Sequence, residues 1–206
     1  MERTSFVSLS KAVRSIKVYG PGEDAKIGEF KPGDFILTHG NSVFSHLIRF
    51  GQAIRFVGKD RKYTWWNHAA LIASNEGNLI EALGAGVLAT HLSDYKPTQY
   101  HLVSLKHDFA SDRDREQTVK FAGTCLGMGY DYLDIVSIAL SLLTGCKLSF
   151  GFDGRMICSG LVAQALERTN AIFNRSPSHI MPADLAKYFG VEPPPPGTNK
   201  GEPPRR

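Results

Sequence analysis

The sequence lacks the short motifs by which nucleotide-binding and metal-dependent enzymes are usually recognised. Neither GxGxxG nor GxxxxGK[ST] occurs, and HExxH and EF-hand calcium loops are also missing. The first two patterns arrange backbone N–H groups around phosphates, and the last two supply metal ligands at fixed spacing. We therefore expect no nucleotide cofactor and no metal site.

Cysteine is scarce, and its spacing does not suggest cross-links. The three cysteines, Cys125, Cys146 and Cys158, cannot all pair with one another, and no CxxC occurs. Secreted disulfide frameworks and zinc knuckles need more cysteines in regular spacings. The pattern is typical of a protein in a reducing compartment.

Long apolar runs are also absent. The most apolar window, residues 135–143, is far shorter than the roughly 20 residues that span a bilayer, and it predicts a buried helix. The stretch Met1–Phe6 has no apolar core of the kind that begins a secretory signal. We expect a cytoplasmic or phage-associated protein without an integral membrane segment.

Charge is not concentrated in any one region. The 206 residues carry a formal net charge of +4, and the densest basic groups are the short runs Lys59–Lys62 and Arg205–Arg206. Nucleic-acid-binding proteins usually present a larger basic surface, so we expect no nucleic-acid partner.

Hydrophobic residues make up 42% of the chain, which is typical of one globular domain. Nothing in the composition indicates an oligomeric state.

The order of apolar periods and turn signals predicts an α+β fold. Strands are expected near residues 34–38, 68–73, 79–83 and 100–105, with one early helix from about residue 41 to 56. Helices are expected near residues 111–126, 131–144 and 158–168, and a last one opens at Pro182. We divide the chain into a lead-in (1–32), a catalytic domain (33–190) and a proline-rich, extended or disordered tail (191–206).

Cys158 stands at the start of an amphipathic stretch. Cys158, Leu161, Val162 and Ala165 recur with the helical period. A thiol in the first turn of a helix is close to the positive end of the helix dipole and to unpaired N–H groups, and both favour the nucleophilic thiolate. A buried structural cysteine would produce the same pattern, so only the residues around Cys158 can distinguish a nucleophile from a structural thiol.

His68 and Glu81 are the candidate partners of this cysteine. His68 begins an apolar strand, and Glu81 lies inside the next one, where an unpaired carboxylate would be costly to bury. If only residues 75–76 form the turn, His68 and Glu81 are diagonal neighbours on one face of the sheet. If residues 75–78 all form the loop, Glu81 faces Ile72 and lies about 13 Å from His68. The sequence is compatible with both registers.

The other histidines are weaker candidates for a catalytic base. None begins an apolar strand of the kind that His68 begins, and several lie in polar or loop-like surroundings. They are His39, His46, His91, His101, His107 and His179.

Taken in order, these segments resemble the circularly permuted papain-like hydrolases of the YiiX/YaeF type, which are related to the NlpC-type cell-wall peptidases. The resemblance covers about residues 33–189, and the histidine strand precedes the cysteine helix. After the cysteine, Gly160 follows the NlpC version, Cys-Ser-Gly-Leu-Val. The matching pieces are Gly33–Leu37, Ser45–Ile48, Asn67–Ile72, Ile80–Ala82, Gly86–Val87, Tyr95, Gly129–Asp131, Ile157–Val162 and Pro182–Leu185.

The resemblance implies a catalytic triad on a small antiparallel sheet packed against the nucleophile helix. Cys158 would be the nucleophile, His68 its general base and Glu81 the group that orients the imidazole. Tyr130 and Asp131 match a tyrosine–aspartate pair near the cleft. With Trp66, which nearly adjoins His68, they are our candidate substrate-binding residues.

The implied activity is a cysteine hydrolase that cleaves an amide or ester through an acyl-enzyme, with peptidoglycan stem peptides as candidate substrates. Its partner would be a peptide- or acyl-containing substrate. One alternative within the same fold is a lipid acyl hydrolase or transferase similar to lecithin:retinol acyltransferase. The other is a catalytically silent binding or structural domain.

Overall fold

The computed structural model describes residues 12–40, 43–130, 155–174 and 176–195 and has an α+β architecture. Its main sheet has six antiparallel strands in the spatial order β1–β6–β2–β3–β4–β5. The strands are β1 Val13–Tyr19, β2 Phe35–Thr38, β3 His68–Ile72, β4 Asn78–Leu83, β5 Gly86–His91 and β6 Tyr100–Leu105. Two further strands, β7 Gly129–Tyr130 and β8 Arg155–Met156, form a short parallel pair.

Four α-helices lie within the described ranges. They are α1 Val43–Arg55, α2 Asp112–Thr124, α3 Cys158–Leu166 and α4 Pro182–Phe189. Ser111 caps α2 by accepting a hydrogen bond from the Asp114 N–H, and the Asp114 carboxylate accepts from the Ser111 N–H in return. These helices begin within two residues of their predicted starts. None of the helices in the described part of the chain is long and apolar enough to cross a membrane.

The sheet is covered on both faces, which explains why its central strands are buried throughout. Along β2, Phe35 and Leu37 belong to a core shared with α3, whereas Ile36 belongs to a second core on the opposite face. The same alternation separates Leu71 from Ile72 in β3. Because α3 packs on β3 and β4, its first residue is brought to the strands that carry the candidate base and carboxylate.

The pairing of β3 with β4 distinguishes between the two registers. Leu71 pairs with Ile80 and Ile72 with Leu79, which is the register of the short turn at residues 75–76. His68 and Glu81 therefore lie on the same face of the sheet as diagonal neighbours. A shift of one residue would have turned Glu81 to the other face.

A buried ion pair joins the sheet to α2. Arg115 donates to Asp34 and to the carbonyls of Pro32 and Leu105, each at 2.8 Å. Asp34 also accepts from the backbone N–H groups of Lys31 and Leu105, both at 2.9 Å. Asp34 is 1% exposed and Arg115 is 6% exposed, so each charge depends on the other for its compensation.

Two boundaries differ from the sequence-based division. Residues 13–19, assigned to the lead-in, form an edge strand of the main sheet by pairing with β6. The beginning of the assigned tail is anchored as well, because Val191 is fully buried and Glu192 forms an ion pair with Lys62. Long-range contacts of this kind leave no local periodic signal. The helix predicted for residues 131–144 lies outside the described residues.

We expect Asp34→Ala to lower the free energy of unfolding by about 3–5 kcal/mol, because it leaves the Arg115 charge buried without its anion. The measurement is urea denaturation followed by circular dichroism. The control is Asp108→Ala, at an exposed aspartate, which should change stability by less than about 0.5 kcal/mol. Equal stability of the two variants would contradict the structural role of the pair.

Candidate active site

Cys158 is the first residue of α3. The preceding residue, Ile157, is extended, with φ −96° and ψ 153°, so the chain turns into the helix at the cysteine itself. The Ser159 hydroxyl donates to the Ile180 carbonyl at 2.6 Å and thereby ties down this first turn. The sulfur also accepts the backbone N–H of Ser159. Cys158 is only 1% exposed.

His68 connects the cysteine to the carboxylate. Its Nε2 lies 2.5 Å from Oε2 of Glu81, and its ring also makes a hydrogen bond with the side chain of Cys158. Because Glu81 occupies Nε2, the nitrogen that remains for the sulfur is Nδ1. The His68 side chain is 14% exposed. The three residues named from the sequence are therefore brought together in one chain of contacts.

The end of the β3–β4 ladder makes room for the cysteine. The paired residues nearest the start of β3 are Leu71 and Ile80. Successive backbone N–H groups of a strand point in turn to the two neighbouring strands. The N–H of Ile72 points to the β2 side, where it donates to the Asp34 carbonyl. The N–H of Ala69 must then point to the β4 side, and there it donates to the sulfur of Cys158.

Glu81 is 1% exposed and is held by two residues that the sequence analysis did not assign to the site. Thr90 Oγ1 donates to Oε1 at 2.5 Å, and the Tyr95 hydroxyl donates to Oε2, the oxygen that also contacts His68. The Tyr95 ring also stacks near the imidazole, with centroids 6.2 Å apart and planes 14° from parallel. Thr90 lies in β5, a strand missing from the predicted elements.

Mutual contact determines the charge state of the triad. Burial disfavours the charged ring of His68. The negative charges of Cys158 and Glu81 and their hydrogen bonds to the ring outweigh burial, so the pKa of His68 is raised to about 10. Burial likewise disfavours the thiolate and the carboxylate. His68 nevertheless holds the pKa of Cys158 below its ordinary value, and His68, Thr90 and Tyr95 do the same for Glu81. The site therefore favours thiolate, imidazolium and carboxylate together.

Of the three candidate substrate-binding residues, only Trp66 has a described side chain, and it lies in the core. Trp66 is fully buried in the core, and its indole Nε1 donates to the Val191 carbonyl at 3.0 Å. That position gives it a packing role and no face toward a substrate, so we leave it out of the site. The backbone of Tyr130 belongs to β7, and Asp131 lies outside the described residues.

Cys125 offers an internal comparison for Cys158. It is also 1% exposed, but its thiol donates to the Phe121 carbonyl at 3.5 Å, and burial raises its pKa. Two buried cysteines of one chain thus differ in charge state because only Cys158 has His68 beside it. Cys146 lies outside the described residues.

The chain matches no protein-family model, and no curated protein resembles it significantly. Within the described ranges, no group of three histidine, cysteine, aspartate or glutamate side chains is arranged to hold a metal ion. The contacts among Cys158, His68 and Glu81 are therefore the basis for assigning a function.

We expect the alkylation rate of Cys158 by iodoacetamide to inflect at a pH below the ordinary cysteine pKa of about 8.5. A thiolate with a lowered pKa persists as the pH falls. In His68→Ala the inflection should move to higher pH, because burial is then opposed only by the backbone N–H groups of Ala69 and Ser159. Peptide mass spectrometry measures the rate at Cys158 itself. The control, His107→Ala at an exposed histidine, should behave as wild type, and an unchanged inflection in His68→Ala would contradict the pairing.

We expect Tyr95→Phe to raise the pKa of Glu81, because the carboxylate loses one of its hydrogen-bond donors. The measurement is a carbon-13 NMR titration of the glutamate carboxyl groups. Tyr63→Phe is the matched control, since the Tyr63 hydroxyl donates to Glu192 instead. If both variants leave the Glu81 titration unchanged, Tyr95 does not position this carboxylate.

Proposed function

We propose that this protein is a cysteine hydrolase that cleaves an amide or ester through an acyl-enzyme. The observation that carries the proposal is the position of the His68 ring, which contacts Glu81 at 2.5 Å on one side and Cys158 on the other. A nucleophile, a base and a group that orients the base are the minimum for this chemistry. The lowered pKa of Cys158 supports the same assignment.

Acylation would begin from the thiolate of Cys158. The sulfur adds to the substrate carbonyl carbon, and the carbonyl π electrons move to the oxygen, which becomes an oxyanion. The Cys158 N–H, which has no intrahelical acceptor because it opens α3, is a donor for that oxyanion. When the tetrahedral intermediate collapses, the carbon–leaving-group bond breaks and the imidazolium of His68 gives its Nδ1 proton to the departing nitrogen or oxygen.

Deacylation would reverse the role of the imidazole. Neutral His68 takes a proton from water, and the resulting hydroxide adds to the thioester carbonyl. Collapse then breaks the carbon–sulfur bond, releases the acid and restores the thiolate–imidazolium pair. Glu81 stays ionised throughout, because Thr90 and Tyr95 donate to it, and it stabilises the imidazolium in both half-reactions.

The fold that we propose for this chemistry is a circularly permuted papain-like fold. The order along the chain supports it, since the strand that carries His68 precedes the helix that Cys158 opens. So does the packing of that helix on an antiparallel sheet. The resemblance to NlpC-type peptidases makes stem-peptide amides the first substrates to test, and acyl esters the second.

We expect purified wild-type protein to hydrolyse at least one member of a panel of muropeptides, isopeptides and acyl esters. Cys158→Ala should abolish turnover, and His68→Ala should lower kcat/KM by about 10²–10⁴-fold, the usual contribution of a general base. Glu81→Gln should also lower it, because an amide does not balance the imidazolium charge. The matched control is Cys125→Ala, which should retain wild-type turnover.

Two results would contradict the hydrolase. One is turnover in Cys158→Ala equal to wild type. The other is no turnover of any panel member, combined with iodoacetamide labelling of Cys125 as fast as that of Cys158. The second result would instead support a silent binding domain, because an unused thiol gains no reactivity over a structural one.

A further inference from the structure

Gln52 is a fully buried amide side chain that joins the segment before His68 to the start of α4. It lies in α1. Its Nε2 donates to the Trp66 carbonyl at 2.8 Å and to the Thr64 carbonyl at 3.4 Å. Its Oε1 accepts from the Ala183 N–H at 2.8 Å. The amide therefore uses both of its donors and one acceptor position, each of them on a main-chain group of another segment.

On the side of the base, the contact with Trp66 holds the chain two residues before His68. The Trp66 indole is fixed as well, because its Nε1 donates to the Val191 carbonyl. The intervening residue, Asn67, is buried and exchanges two hydrogen bonds with the main chain of Gly40, at 2.7 and 2.8 Å. A chain held at consecutive residues has little freedom to absorb a movement of the Trp66 carbonyl. Such a movement would therefore reach His68.

On the side of the nucleophile, the contact with Ala183 leads to the first turn of α3. Ala183 lies three residues after Ile180, and Pro182, whose φ is fixed by its ring, stiffens the turn between them. The Ile180 carbonyl accepts the Ser159 hydroxyl at 2.6 Å in a buried hydrogen bond. Ser159 directly follows Cys158. The amide of Gln52 is thus connected to both residues of the thiolate–imidazolium pair.

These contacts form a closed loop with the hydrogen bond between Cys158 and His68. The attraction between two charges falls with their distance, so the loop matters most where it sets that distance. An apolar side chain of equal size would fill the space of Gln52. It would also leave two carbonyls and one N–H without their partner, and buried main-chain groups shift to regain one.

We propose that Gln52 is a positioning residue that sets the distance between the sulfur of Cys158 and the ring of His68. It acts through the main chain on both sides and does not touch the reacting atoms. The inference rests on the proposed function, because it assigns Gln52 a part in the same chemistry.

The test is Gln52→Met, which keeps the volume of the side chain and removes all of its hydrogen bonds. We expect the inflection of Cys158 alkylation by iodoacetamide to move to higher pH, in the same direction as in His68→Ala. The value of kcat/KM on the substrate panel should fall by up to about 10²-fold, as a misplacement of about 1 Å can cause. Peptide mass spectrometry follows the alkylation, and circular dichroism checks the fold.

Tyr100→Phe is the matched control. Tyr100 is also fully buried, and its hydroxyl makes two hydrogen bonds, with the Asp24 carboxylate and the Ala25 N–H. The variant keeps the ring and should lower the urea midpoint while leaving the inflection at the wild-type pH. An unchanged inflection in Gln52→Met would overturn the proposal. An equal shift in Tyr100→Phe would also overturn it, because the inflection would then follow stability alone.

Ser159→Ala breaks the same connection at its other end by removing one hydroxyl, a change small enough to preserve the fold. It should shift the inflection in the same direction as Gln52→Met. Because both variants interrupt one path, the double variant should shift it little further than the larger single change. Additive shifts would overturn the proposal. An unchanged inflection in Ser159→Ala would overturn it even where Gln52→Met fails to fold.

Alkylation needs no substrate, so it separates this inference from the hydrolase. A shifted inflection in Gln52→Met, with no turnover of any panel member by the wild type, would support the positioning role and count against the hydrolase. An unchanged inflection, with turnover by the wild type, would contradict the positioning role alone.

Discussion

The register of β3 against β4 is the constraint on which the candidate site depends. Pairing of Leu71 with Ile80 puts Glu81 on the face of the sheet that carries His68, and a slip of one residue would put it on the other face. The ladder also stops short of the start of β3, which leaves the Ala69 N–H directed at the sulfur of Cys158. One pairing choice therefore provides both the orienting carboxylate and a contact for the nucleophile.

The three charges of the triad stabilise each other in a buried site where none of them would be stable alone. Burial raises the free energy of each ionised group. Glu81 and Cys158 are both 1% exposed, yet each is held ionised by the ring between them. Thr90 and Tyr95 complete the shell around the carboxylate. A half-satisfied version of this network would be less stable than an apolar core, so the network acts as a unit.

The parts of the site that could be predicted from the sequence are those with a local signature. The helix period identified the start at Cys158, and strand alternation identified His68 and Glu81, although two registers remained open. Thr90 could not be found in this way, because its contact with Glu81 depends on a third strand that the apolar pattern did not reveal. The anchoring of Val191 by a core tryptophan was missed for the same reason. A contact between distant segments leaves no periodicity in either of them.

The two buried histidines show why composition and pattern alone do not assign chemistry. His101 was one of the weaker candidates for a catalytic base, yet it lies inside β6, the strand predicted for residues 100–105, and is 3% exposed. It is as much a strand residue as His68. Yet the pKa of His68 is raised to about 10 and that of His101 is lowered to about 4. Burial acts on both rings in the same direction, so the difference comes from the two anionic groups that face His68. A buried imidazole is therefore charged or neutral according to the groups that face it.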